Sequence, residues 1–433
     1  MNNYRFENDP AYARSQDAND PLSKFREKFH LPLNNGKNAV YFCGNSLGLE
    51  PKETKQLVLQ ELEDWASLGV AGHVKAKNPW MDYHKMFSNQ LASLAGAYPH
   101  EVVAMNSLTT NLHLMLSIFY RPGKNRFKII TEAGSFSSDI YALESQVKMH
   151  GLDPNVCIIE VGPRTEEFLI REEDILKAID VHGKELCLVL IGGVNYYTGQ
   201  AFNMKTIAAA AHKVGAFAGF DLAHAIGNIT LNMHLWEADF AVWCSYKYLN
   251  SGPGGVGGLF IHEKHANNKK IPRLAGWWGA EEKTKFMMPR EFSPAEGAWG
   301  FQLSNAPVLS MAAHKAALNI FEEAGIKKVI AKGKKLTSYL EFVLKASESA
   351  ADDMDEKYQI QVISPLQEEE RGAQLSLYVH SKGQELYQTL LSQGFIVDWR
   401  APSVIRVTPA PLYNTFEEVF TFGKLMGKLC TYS

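Results

Sequence analysis

Along the chain, short uninterrupted apolar runs alternate with longer stretches whose apolar residues return every three or four positions. Phe127–Thr131, Val156–Val161, Leu186–Ile191, Ala216–Phe220 and Phe240–Cys244 are runs of the first kind, and each predicts a strand buried on both faces. Ser138–His150, Arg171–Val181 and Asn203–Val214 lie between them and carry the helical period. Strand–helix alternation of this sort predicts an α/β fold with a mainly parallel sheet covered on both sides.

Beyond about Gly300 the pattern changes. Pro307–Glu323 and Ile326–Ala346 predict two long successive helices, and Ser347–Lys357 is acidic and loop-like. Strands at Gln374–Val379, Phe395–Val397 and Ser403–Val407, with helices at Gly383–Gln393 and Phe416–Cys430, predict a small α+β domain at the C-terminal end. The first 38 residues are polar and punctuated by Asp9-Pro10, Asp20-Pro21 and Asn34-Asn35-Gly36. The expected division is an N-terminal arm packing near the small domain (1–40), a large domain (41–305) and the small domain (306–433).

Composition narrows the classes of function. Lys plus Arg number 44 and Asp plus Glu 47, a net charge of −3, too balanced for a protein that steers to nucleic acid by broad basic charge. The five cysteines, Cys43, Cys157, Cys187, Cys244 and Cys430, are scattered and form no CxxC pair or finger spacing. That argues against a disulfide scaffold or structural zinc and for a reducing compartment. No apolar stretch is long enough to span a membrane, and residues 1–10 carry no apolar core of a signal peptide, so a cytoplasmic protein is expected.

Several motif matches fail on context. Gly252–Gly257 satisfies GxGxxG, but a strand-like run (Gly258–Ile261) follows it where a dinucleotide site needs a helix. Gly44-Asn45-Ser46-Leu47-Gly48 satisfies GxSxG, yet only one strand precedes it and no Asp and His follow at convincing triad spacing, which favours a tight turn. His262-Glu263-Lys264-His265 is one residue short of HExxH and reads as a solvated loop.

Asp221 and Lys247 are different. Asp221 sits at the carboxyl end of one predicted strand, where ligands bind in open parallel sheets, although helix capping explains it equally well from spacing alone. Lys247 follows the next strand in Ser245-Tyr246-Lys247 and precedes a glycine cluster that lets backbone approach something bulky. Asp and Lys at adjacent strand ends suit pyridoxal phosphate. The amine forms a Schiff base with the aldehyde, and the carboxylate pairs with the protonated pyridine nitrogen. Phe136, in Gly134-Ser135-Phe136-Ser137-Ser138-Asp139, lies where a strand turns into a helix and offers a stacking ring. Asn106–Asn111 precedes the amphipathic run Leu112–Phe119 and offers phosphate donors or, equally, an ordinary helix cap.

In this combination the sequence resembles the kynureninase family of fold-type-I pyridoxal-phosphate enzymes, in the aminotransferase superfamily. The resemblance runs from about Tyr41 to the C-terminus. It is carried by Phe42–Leu49, Asp221–Ala225, Ser245–Gly254, Gly276-Trp277-Trp278-Gly279 and Arg406–Asn414. It implies a homodimer that hydrolyses L-kynurenine, or 3-hydroxykynurenine, to the anthranilate and L-alanine. Lys247, Tyr246 and Asp221 are then the catalytic group. Leu108, Thr109, Phe136, Ser137, Ser138, Asp139, Gly192, His224, Trp277 and Asn305 join them around the cofactor, some across a dimer interface. Arg406 matches the grip on the substrate carboxylate, and His73, Ser46, Ser304 and Asn305 match positions near its aromatic end. At Gly192 relatives are expected to carry a polar residue such as Ser, so a contact there must come from the backbone. The rivals are an aminotransferase, a cysteine desulfurase-like lyase, which needs a loop cysteine absent between Gly276 and Pro307, a serine hydrolase using Ser46, and a non-catalytic relative.

Overall fold

The computed structural model describes residues 4–347 and 358–432. Seven strands form the central sheet: β1 (Val102–Ala104), β2 (Lys128–Glu132), β3 (Ile158–Val161), β4 (Leu186–Gly192), β5 (Phe217–Asp221), β6 (Phe240–Cys244) and β7 (Gly257–Ile261). Their order across the sheet is β1-β7-β6-β5-β4-β2-β3, and only β7 runs antiparallel to its neighbours. Five of these strands coincide with the predicted apolar runs to within two residues. The runs are continuous because both sheet faces are covered. Ile130, Val189, Phe220 and Ala241 join one hydrophobic cluster, while their chain neighbours Ile129, Leu188, Val242 and Phe240 join another on the opposite face.

Helix α1 (Leu108–Phe119) and helix α2 (Ser137–Met149) belong to the second face, and Glu172–His182 and Met204–Lys213 to the first. Helix α3 (Val308–Ala324) also buries Met311, Leu318 and Phe321 in the first cluster, beside residues of the large sheet. A third cluster is built on a five-stranded sheet containing Tyr358–Val362, Leu375–Val379, β8 (Asp398–Arg400), β9 (Val404–Val407) and Cys430–Tyr432. The short strand expected at Phe395–Val397 covers Phe395–Ile396 and pairs with Val40–Tyr41, and a further strand that was not expected, β8, follows and pairs with β9. Residues 348–357, most of the expected acidic loop, lie outside the described residues.

The polar lead-in is packed. Phe25 and Phe29 are buried, and Asp17 accepts hydrogen bonds from the N–H groups of Phe416 and Glu417 at 2.7 and 3.0 Å, capping the final helix. One sequence expectation is corrected here. His262–His265 is not a solvated loop: His262 is buried and accepts the N–H of Lys264 at 3.2 Å at the start of the short helix Glu263–Ala266. His265 Nε2 bonds Asp239 Oδ1 at 2.6 Å. The local sequence is polar, but tertiary partners bury it. Among the described residues no helix is long and apolar enough to cross a membrane.

Candidate active site

The carboxyl ends of β4, β5 and β6 open into a cavity. Asp221 is the last residue of β5, in register with Gly192 at the end of β4, and the N–H of Gly193 reaches the Asp221 carbonyl at 2.7 Å. The chain then turns, and His224 comes back over the strand end. Lys247, three residues beyond β6, brings its Nζ to 3.0 Å from His224 Nε2 and 5.6 Å from the centre of the Phe136 ring. Leu108, Thr109, Phe136, Ser138, Asp139, Gly192, Asp221, His224, Tyr246 and Lys247 all face this cavity. Thr109 and Ser138, in the first turns of α1 and α2, pair their hydroxyls at 2.7 Å, so two helix N-termini converge on one wall. Ser137, at the start of α2, is exposed and not part of the lining.

Electrostatics follow from burial. Asp139 and Asp221 are close enough to share a hydrogen bond, and loss of water raises both carboxyls, Asp139 the more. Asp139 therefore keeps the proton, while Asp221 accepts the N–H of Ala223 at 2.6 Å and has the Lys247 charge nearby. Burial, then the charges of Lys247, Arg406 and Arg400, push His224 well down, so its ring is neutral. Burial raises the Tyr246 hydroxyl, which holds its proton, and lifts the Cys244 thiol to about 11, far from the thiolate a nucleophile needs.

Arg406 lies on β9 directly opposite Asp398 of β8. It is fully buried and held on three sides: Nε donates to Asp398 at 2.9 Å, Nη1 to the Tyr196 carbonyl at 2.8 Å and Nη2 to Ser46 Oγ at 2.9 Å. Ser46 belongs to the Gly44–Gly48 segment, which is the expected tight turn. Gly48 donates its N–H to the Tyr246 carbonyl at 2.8 Å, and a Cβ on Gly48 would stand 2.4 Å from the Lys247 carbonyl. Only glycine permits that approach. Ser46 Oγ is bonded to Asp398 and Arg406, which is not the imidazole partnership of a hydrolytic serine.

Besides Ser137, Ser46 and Arg406, four more expected residues do not line the cavity of the single chain. His73 is half-buried on the short helix Gly72–Lys75, with Nδ1 at 3.0 Å from the Val70 carbonyl. Trp277 is 40% exposed and donates to the Lys285 carbonyl at 3.1 Å, and Ser304 and Asn305 are exposed. Conversely, Glu132, Tyr196 and Asp398 take part without having been expected. Glu132 ends β2 as a carboxylate at a strand end, the signal that singled out Asp221. Asp398 and Tyr196 reach the site by pairing and turns that no local pattern encodes.

Pyridoxal phosphate fits this donor set. The cavity offers one fixed amine, an ionised carboxylate for a pyridinium, an aromatic face and hydroxyls at helix N-termini for a phosphate. Asp139 Oδ1 and His224 Nδ1 are buried there with no hydrogen-bond partner, as expected around a polar ligand.

Comparison with known proteins agrees. Residues 329–426 match the kynureninase C-terminal domain, and residues 76–274 match the DegT/DnrJ/EryC1/StrS aminotransferase family. The chain is 49% identical to a kynureninase of Christiangramia forsetii, covering 98% of this chain and 99% of that one. A kynureninase of Myxococcus xanthus is also 49% identical, covering 98% of both, and one of Nematostella vectensis is 45% identical, covering 96% and 93%. Among solved structures, a cysteine desulfurase from Thermococcus onnurineus superposes with a TM-score of 0.74 at 18% identity, covering 93% of this chain and 96% of that one. A C-DES variant with glycine covalently linked to its PLP cofactor gives 0.75 at 17%, covering 90% and 97%. At that identity the structural likeness speaks to fold alone: the mainly parallel sheet with a C-terminal domain found in fold-type-I enzymes.

Proposed function

We infer the function from one premise: the chain belongs to the kynureninase family. It is a pyridoxal-phosphate enzyme that hydrolyses L-kynurenine to anthranilate and L-alanine by breaking the Cβ–Cγ bond. We propose 3-hydroxykynurenine as its alternative substrate. The observation that carries the reading is the pairing of Lys247 and Asp221 at adjacent strand ends in one buried cavity, with Arg406 held nearby.

When bound, pyridoxal phosphate supplies an electron sink joined to the substrate's amino group, which both proton loss at Cα and Cβ–Cγ cleavage require. The residues around it divide the remaining work. Asp221 would hold the ring nitrogen, with Asp139 behind it. Phe136 would cover the ring face, and Leu108, Thr109 and Ser138, near two helix starts, would hold the phosphate. Lys247 would anchor the cofactor and, once displaced by substrate, take the Cα proton. The neutral His224 3.0 Å from its amine makes that transfer cheaper than a charged neighbour would. Arg406 keeps one N–H on Nη1 beyond its bond to Tyr196, while Nη2 already meets Ser46 and Asp398 at 2.9 and 2.8 Å, so a two-point grip on a carboxylate that aims the Cα–H bond would displace one of those partners. Tyr246 holds its proton and would donate it to Cβ, which stays with the alanine, when Cγ, having taken up water, departs as the anthranilate carboxylate.

The same reading places the protein in the cytoplasm, in tryptophan catabolism and the kynurenine route toward NAD. It divides the chain into an arm (1–40), a cofactor domain (41–305) and a small domain (306–433). It also makes the enzyme a homodimer. Supporting this, Leu274, Phe286, Met287 and Met288 are exposed close in sequence to Trp277, a concentration of apolar surface that suits a subunit interface. Trp277, Ser304, Asn305 and His73 would then complete the active site across that interface.

The test is spectral. Purified protein with pyridoxal phosphate should show a visible absorbance band that kynurenine perturbs and that Lys247→Ala abolishes. A Lys247→Ala protein with full turnover would end this reading.

A further inference from the structure

The β2–β4 ladder stops at Ile130 and Val189, short of the cavity. Beyond that point a side chain does the joining. Glu132, only 4% exposed, accepts the Gly192 N–H at 3.1 and 3.2 Å on its two carboxylate oxygens. A Cβ on Gly192 would stand 2.9 Å from Glu132 Oε1. The carboxyl thus lies against the space that a side chain at position 192 would enter, and it faces the cavity itself.

We propose that Glu132 is a cofactor-positioning residue whose carboxyl stands in for the side chain that Gly192 lacks. The inference rests on the pyridoxal-phosphate reading of this cavity. Glu132 acts through its neighbours. It fixes the end of β4 by the Gly192 N–H, and β4 in turn holds Asp221, whose carbonyl accepts Gly193 N–H at 2.7 Å. Its charge also adds to a crowded set. Asp221 comes from β5, Asp139 from α2, Lys247 and Tyr246 from the loop after β6, and His224 from the turn after β5. Burial lifts the Glu132 carboxyl to about 7, aided by the nearby Asp221 charge and opposed by the Gly192 N–H, so it titrates near neutrality. Above that pH its negative charge favours the protonated state of a cofactor bound beside it.

Three variants test this on cofactor-stripped protein: Glu132→Ala, Glu132→Gln, and Glu132→Ala combined with Gly192→Ser. The readouts are the affinity for added pyridoxal phosphate and the pH midpoint of the bound cofactor's visible absorbance, with thermal melting of each stripped protein to verify folding. Glu132→Ala should weaken cofactor binding about tenfold or more. Adding Gly192→Ser should recover most of that loss, because a serine side chain then has room where the carboxyl was. Glu132→Gln keeps an oxygen for the Gly192 N–H, so it should bind nearly as the parent but with the midpoint lowered by roughly one pH unit. Parent-like affinity and midpoint in both single variants would overturn the proposal. So would a double variant no better than Glu132→Ala, which would leave Glu132 a merely structural part. A parent protein that bound no pyridoxal phosphate would instead overturn the cofactor reading on which the inference stands.

Discussion

Arg406 has little freedom left to it. Three protein groups hold its guanidinium, and Asp398 opposite keeps its charge compensated although it is buried. Lysine at 406 would keep the charge and lose the planar fork. Arg406→Lys should therefore lower kcat/KM about 100-fold, mostly through KM, with cofactor absorbance unchanged; steady-state kinetics with a spectrum of the same sample checks it. Gly48 makes a second residue-scale case. A Cβ there meets the Lys247 carbonyl at 2.4 Å and the Asn250 Cα at 2.7 Å, backbone that cannot swing aside. Gly48→Ala should shift the Lys247 loop and reduce kcat by tenfold or more, since small displacements of a catalytic group are costly; single-turnover kinetics reads the loss. Asp221 and Lys247 were legible because strand ends in a parallel sheet are where chemistry collects. Asp398 was not, since its partner Arg406 faces it only once β8 and β9 pair.

Element boundaries in the large sheet followed the apolar runs because burial on both faces leaves those strands nothing polar to interrupt them. The polar segments were harder to read. His262–His265 has the composition of a solvated loop, yet it closes a buried cluster on Asp239, immediately before β6 and at the opposite end of the strand from the cavity. The Asp239 carboxylate takes His212 Nε2 at 2.8 Å, His265 Nε2 at 2.6 Å, Lys264 Nζ at 2.9 Å and the Ala218 N–H at 2.7 Å. Burial opposes its ionisation, but these partners prevail and hold the carboxyl well below its ordinary value. A carboxyl so lowered contributes stability that is complete above the unfolded value of about 3.9 and is lost as the pH falls toward the folded one. Asp239→Asn should therefore melt several degrees lower at pH 7, with the gap to the parent closing as the pH drops below about 4. Calorimetric melts across that range measure the gap, and cofactor absorbance at neutral pH should be untouched, because the cluster is remote from the cavity.

For the whole molecule, the proposed assembly decides whether the active site is complete. The cavity of one chain collects the cofactor-side residues, while Trp277, Ser304, Asn305 and His73 remain at the surface. Sequence resemblance put these residues forward but could not say whether, or from which copy of the chain, each one acts. If they act across an interface, charge placed in the exposed apolar stretch should separate the copies. Phe286→Glu combined with Met287→Glu should turn a dimer into a monomer by light scattering and reduce turnover at least 100-fold, while each monomer keeps its fold. A monomeric parent with full activity would sink that proposal.

The claim on which the rest depends is that this chain breaks the Cβ–Cγ bond of kynurenine. The direct measurement is product analysis after incubating the pyridoxal-phosphate-loaded protein with L-kynurenine, with the Lys247→Ala protein as control. The account predicts anthranilate and alanine in equal amounts, and neither from the control. A keto-acid product without anthranilate, or anthranilate formed equally well by Lys247→Ala, would contradict it.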